Sequence, residues 1–266
     1  GEHMAATWLD LARFADTDGY HDDEPRTMWR WREWLVNVLN DNLPFDQFTL
    51  QQLAGDLLPN ATSEQHLATG FLRNNRVTGE GGVIADEFRV EYIVDRVETV
   101  SSVWMGLSTG CARCHDHKYD PISQREFYSL FAFFNQTPEP GQYRRTAPPT
   151  IQVPTRTTQR RLDGLDFELA ALDQGSARYK KLTESKQKLL DAVPETMVMD
   201  DTEPRETFVL VRGQYNQPSE KVTADVPASL PPMPVRTSTL QRHMPPLSRR
   251  RSATMRRLRP ARSRSR

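Results

Sequence analysis

Cys111-Ala112-Arg113-Cys114-His115 is the segment of this chain whose residue types and spacing can do chemistry. Two thiols three positions apart lie about one helical turn from each other, close enough to reach both vinyl groups on one haem edge. The imidazole after them can then serve as proximal ligand to the iron. Cys111 and Cys114 are the only cysteines among 266 residues, so the pair is not drawn from a thiol-rich background. The spacing therefore predicts covalently held haem c, with Cys111 and Cys114 as thioether anchors and His115 on the iron. Ala112 and Arg113 are expected only to stay out of the way.

Two other chemistries fit the same residues. His117 could join Cys111, Cys114 and His115 around zinc, although a closed structural zinc site usually takes a second ligand pair from elsewhere, and no second cysteine pair exists. A C-x-x-C redox couple is the other, but the βαβ context of thioredoxin-like proteins is missing from the pattern. For the sixth iron position Met197, Met199, His21 and His66 are the candidates. Arg113 and Lys118 are candidates to pair with haem propionates.

A second constellation is acidic. Asp16, Asp18, Asp22 and Asp23 crowd one loop and offer the hard oxygen ligands that calcium takes. The loop is not an EF-hand, since Thr27 stands where the twelfth-position glutamate belongs. A solvated turn with capping aspartates is the simpler reading. Glu87, Glu91 and Asp95 recur at i, i+4 and i+8 and read as a hydrated helix face. Together with His117 and Asp120 these carboxylates supply the alternative function, a calcium- or zinc-dependent extracytoplasmic hydrolase; a non-catalytic extracellular binding module is the third class.

The elements that must position these groups are helices. Met4, Trp8, Leu11 and Ala15 predict a first amphipathic helix ending near Asp16. Met28, Trp31, Leu35, Val38 and Leu39 line a second, and Leu50, Leu53, Ala54 and Leu57 a third. Thr62 with Gln65 forms a capping box for a fourth. Arg73 to Gly82 reads as a polar loop. From Asp86 to Trp104 the steps Ile93, Val97, Val100, Trp104 predict one continuous helix. Ser123 with Glu126 caps the helix that ends in Phe133 and Phe134. The predicted fold is mainly α: an irregular multi-helix domain with long loops, a helical hairpin or coiled coil, and a short C-terminal β segment. Its parts are a helical domain over 1–135, a proline-rich linker over 136–155, a hairpin over 156–192 broken near Gly175, an extended or β segment over 193–234, and a tail over 235–266.

Charge singles out that tail. From Arg236 to Arg266 there are eleven arginines and no lysine, aspartate or glutamate. The formal charge of zero thus hides an acidic remainder, with 24 basic side chains against all 35 acidic ones in residues 1–235. An Arg/Pro/Ser/Ala mixture without lysine is what G/C-rich DNA yields in a shifted frame, and the tail is read that way rather than as a basic arm for nucleic acid. No apolar run is long enough to span a bilayer. The chain opens on Gly1 directly into helical pattern, so its N-terminus is read as cut within a domain, and no signal peptide is visible.

The segments Trp8 to Tyr20, Gln52 to Pro59, Arg89 to Thr99 and Cys111 to Ile122 together resemble the planctomycete cytochrome-C-like domain of large exported proteins. The resemblance covers roughly residues 1–235; the tail departs from it. It implies export, hence an extracytoplasmic location, and haem at Cys111, Cys114 and His115. It supplies no reaction. Electron transfer within a larger protein is the expected role, the partners being a redox protein or the attached domains, without nucleic acid. On the oxidising side of a membrane the two thiols would close a disulfide if haem failed to attach.

Overall fold

A computed structural model describes residues 1–202 and 204–233; the arginine-rich tail lies outside the described residues. The described chain is mainly α. Its helices are α1 (Glu2–Leu11), α2 (Trp29–Asn40), α3 (Phe45–Ala54), α4 (Ser63–Ala68), α5 (Ala85–Val100), α6 (Gln124–Phe134), α7 (Arg156–Ala170) and α8 (Ala177–Asp191). Two antiparallel pairs complete it: β1 (Thr150–Gln152) with β2 (Glu195–Met197), and β3 (Thr207–Leu210) with β4 (Pro218–Val222).

Local chemistry sets several of these boundaries. Thr62 accepts from the Gln65 amide at 3.2 Å while Gln65 Oε1 accepts from the Thr62 amide at 2.9 Å, the reciprocal box that opens α4. Ser123 and Glu126 repeat it at α6. The hairpin forms as predicted, with Ser176 capping α8 after the break. Elsewhere the buried face differs from the predicted one. The core takes Ala5 of α1 and Ala12 just past its end, whereas Met4 and Leu11 are exposed. On α3 it takes Phe48 and Gln52, and Leu50 is exposed. The α5 helix stops at Val100 and passes into a single π-helical turn, Ser101–Met105, closed by Gly106 in the left-handed region at φ 65°. Val100, Val103 and Trp104 pack against the first apolar cluster, whereas Ile93 and Val97 belong to the second.

Those two clusters make the core. The first packs Trp31, Trp34, Leu35, Leu67, Phe71 and Leu72, with Trp8 set edge-on against Phe48 (4.9 Å) and Trp104 (5.0 Å). The second joins Ile93 and Val97 to Ile122, Phe127, Tyr128 and Leu210. Residues 1–231 form one compact unit.

The chain also buries arginines. Arg30, Arg73 and Arg96 are each 0% exposed. Arg96 Nε donates to the Leu72 carbonyl at 2.6 Å, and its two terminal nitrogens grip Glu139 in a bidentate ion pair. Arg73 Nε lies 3.6 Å from the same carboxylate, and its terminal nitrogens donate to Val198 O (3.0 Å) and Ala147 O (3.4 Å). Arg30 donates to Val153 O at 2.8 Å and Pro154 O at 2.9 Å. Segment 136–155, read as a linker, therefore supplies the core's carboxylate and several of its acceptors. Arg73 to Thr78, read as a polar loop, holds buried Asn74, Asn75 and Val77. A guanidinium taken out of water needs acceptors inside, and these two segments provide part of them.

Burial alone would raise the Glu139 carboxyl, but the charges of Arg96 and Arg73 and the Arg96 hydrogen bonds outweigh it and hold the group below its ordinary 4.5. Its stabilising contribution is thus complete above that value and is lost as pH falls through the lower folded value. Glu139→Ala leaves two buried guanidinium groups uncompensated and is expected to cost about 3–5 kcal/mol, read as a lowered urea midpoint at pH 7. The wild-type midpoint should fall on acidification below 4.5, and the variant's should fall less.

Candidate functional site

After Gly106 the chain runs to a short 3-10 turn, Gly110–Arg113, that carries the first half of the C-x-x-C-H segment. The turn is pinned by the two residues expected to be passive. Ala112 is 0% exposed in the second core cluster. Arg113 forms a bidentate pair with Glu91 on α5, 2.8 Å at one of its two bonds, and also donates to the Gly213 carbonyl at 3.2 Å. The Glu91 hydrogen bond is the main reason the guanidinium holds its proton more tightly than usual. The Arg113 carbonyl accepts from Gln124 Nε2 at 2.9 Å and from the Tyr128 hydroxyl at 3.1 Å, both on α6. Gln124 Nε2 also reaches Leu210 O at 3.1 Å, which ties the motif to β3.

Because Ala112 and Arg113 point inward, Cys111, Cys114 and His115 are left on the solvent side. Both thiols are free and exposed. His115 Nδ1 lies 2.7 Å from the Asp116 carbonyl, which assigns the proton to Nδ1 and leaves the Nε2 lone pair available. Asp116 in turn accepts from the Gln124 amide at 2.8 Å, at the start of α6.

His117 does something different. Its Nδ1 accepts the Asp120 amide at 2.8 Å and the Tyr119 amide at 3.3 Å, and its own amide donates to Ile122 O at 2.8 Å. The ring therefore folds the His117–Ile122 loop, with the Asp120 carboxylate 3.3 Å from Nδ1. Lys118 sits 5.1 Å from the Tyr119 ring centroid, and Tyr119 is 82% exposed.

The acidic loop is a latch. Asp18 is 3% exposed; it accepts the Arg145 amide, and desolvation raises its carboxyl above the usual range. Asp22 pairs with Arg144, Asp16 lies 3.6 Å from Arg32, and Asp23 accepts the Gly19 amide at 2.9 Å. Each carboxylate thus faces a separate protein partner. Among the described residues no group of three or more His, Cys, Asp or Glu is arranged to hold a metal ion. On α5, Glu91 pairs with Arg113 and Asp95 with Arg13, both carboxylates staying partly exposed, while Arg96 points into the core. Met197 and Met199 are 1% and 3% exposed within the first cluster, beside Arg73 and Thr137. His66 lies near Asp56 and Asp200, and the His21 amide donates to Glu80 at 3.0 Å.

The Arg113–Glu91 anchor was missed from sequence; the only hint was a basic residue inside C-x-x-C together with an acidic helix face 22 positions earlier. Gly213 was missed as well. At φ +73°, a Cβ there would stand 3.0 Å from both Cys114 Sγ and Arg113 Nε. Gly213→Ala is expected to cost about 1–2 kcal/mol from the left-handed backbone alone. It should also slow alkylation of Cys114 relative to Cys111, measured by timed iodoacetamide labelling and peptide mass spectrometry.

A family model described as PSCyt2, protein of unknown function (DUF1549), matches residues 1–139. The chain matches no curated protein and no solved structure.

Proposed function

Since the chain belongs to that family of planctomycete cytochrome-C-like domains, we propose that its C-x-x-C-H segment holds haem c and serves extracytoplasmic electron transfer. The observation that carries the reading is the outward presentation of two free thiols and one imidazole from a turn locked on its inner side. The donor set fits the group. Cys111 and Cys114 supply the thioether sulfurs, and His115 offers Nε2 while the Asp116 carbonyl fixes its tautomer. Bound there, haem iron would supply reversible one-electron chemistry. Arg113, a propionate candidate by sequence, is committed to Glu91, which leaves Lys118 as the cation of the motif on the exposed side. Attachment of this kind takes place on the oxidising side of a membrane, which supports export. Among the described residues no helix is long and apolar enough to cross a membrane.

Purification of the exported chain from a host with c-type maturation should give a Soret band that survives acid-acetone extraction. Cys111→Ala and Cys114→Ala together should abolish it, and His115→Ala should keep the attachment while shifting the band. A colourless wild type with both sulfurs titrating as free thiols overturns the proposal.

A further inference from the structure

An open groove of about 560 Å³ runs between α7 and α8 and contains none of the haem donors. Arg161, Gly164, Leu165 and Glu168 line it from α7, and Lys188 and Leu189 from α8. We propose that a second copy of this chain covers the groove with its own. The two hairpins then pack antiparallel about a two-fold axis near Gly164 and make a four-helix bundle.

Two helices alone leave their apolar residues uncovered. Each of α7 and α8 has 15 residues, which makes it about 22 Å long. Within them Leu162 is the one residue taken fully out of water, and Leu165, Leu169, Leu182 and Leu189 stay half-buried. A core-facing helix stripe is wide, and a single neighbour shields only part of it. Bundles that bury such stripes commonly use four helices. The hairpin also has room for a crossing helix. Nothing lies within 4 Å of the place a Gly164 Cβ would take. Glycine weakens a helix interior, but here it keeps the groove open where two backbones would come closest.

The polarity of the groove names the occupant. Arg161 lies toward the base of the hairpin and Glu168 toward its tip, on either side of Gly164. Among the described residues Arg161 has no ion pair. Glu168 has the exposed Arg178 at 3.3 Å, a contact of the kind that contributes little. A uniformly acidic partner would meet Glu168, and a uniformly basic one would meet Arg161. A reversed copy of the same groove sets its Glu168 over Arg161 and its Arg161 over Glu168. The face is therefore complementary to itself, as a two-fold interface requires. A face this long and two helices wide gives an interface on the order of 1,000 Å², the low end of specific association, so a micromolar dimer is expected.

Sedimentation equilibrium of the full chain, run from low to high micromolar concentration, should show a reversible monomer–dimer equilibrium. Arg161→Glu and Glu168→Arg, both at exposed positions, should each weaken it about tenfold or more by setting like charges across the axis. Mixed together, the two variants should associate again, because both contacts in the mixed pair then join opposite charges. Gly164→Gln puts a long side chain on the axis while favouring the helix, so it should weaken the dimer without lowering the thermal midpoint. Replacing both cysteines by alanine should leave association unchanged, which separates this surface from the haem proposal. A chain that stays monomeric throughout, a dimer that the charge variants or Gly164→Gln leave as tight as before, or a mixture that does not pair overturns the assignment.

Discussion

One carboxylate holds this protein's interior together. Glu139 stands between Arg96 and Arg73, nearly all of its surface removed from water, and it is the anionic partner of these two buried guanidinium groups. Two buried cations against one anion would be unfavourable if Coulomb attraction were the only compensation. The structure meets the demand with backbone carbonyls: Leu72, Val198 and Ala147 each accept from one of the two arginines. Hydrogen bonds of that geometry require the loops that carry them to be placed within fractions of an ångström. The ionic centre thereby dictates the path of segments that an apolar core alone would leave loose.

That dependence explains which parts of the fold were legible in the sequence. Features settled within four residues were readable: the Thr62/Gln65 and Ser123/Glu126 boxes, the break between α7 and α8, the apolar stripe from Ile93 to Val97. Features settled across the chain were not. Nothing local marks Arg96 as a core residue; Glu139, 43 positions on, turns it inward. Prolines and polar residues over 136–155 read as a linker because nothing local reveals that Ala147 and Val153 meet buried arginines. The three-residue strands β1 and β2 carry too little alternation to be seen, and the π turn after α5 breaks a period that the sequence continues unbroken.

The candidate site divides the same way. Its outward donors, Cys111, Cys114 and His115, were legible because their chemistry needs a fixed local spacing. The inward half was not, since Arg113 is positioned by Glu91 from one side and by the turn at Gly213 from the other. His117, a potential ligand by type, is instead a loop-folding acceptor, an outcome set by backbone amides that residue identity does not encode. The family match stops at residue 139, yet Arg73 and Arg30 donate to carbonyls at 147, 153, 154 and 198. The matched stretch and the stretch after it, to residue 231, form one compact unit.

The α7–α8 hairpin is an excursion from the ribbon formed by β1 and β2. It leaves from β1 and comes back at β2, strands that lie side by side with Gln152 opposite Glu195. Along its thirty-odd residues Leu162 alone is buried within the two helices. The excursion begins and ends at nearly the same point in space, so it behaves as a parenthesis in the fold. Lengthening it, trimming it, or grafting another antiparallel helical pair in its place would leave the ribbon at its base in register and the ionic centre undisturbed.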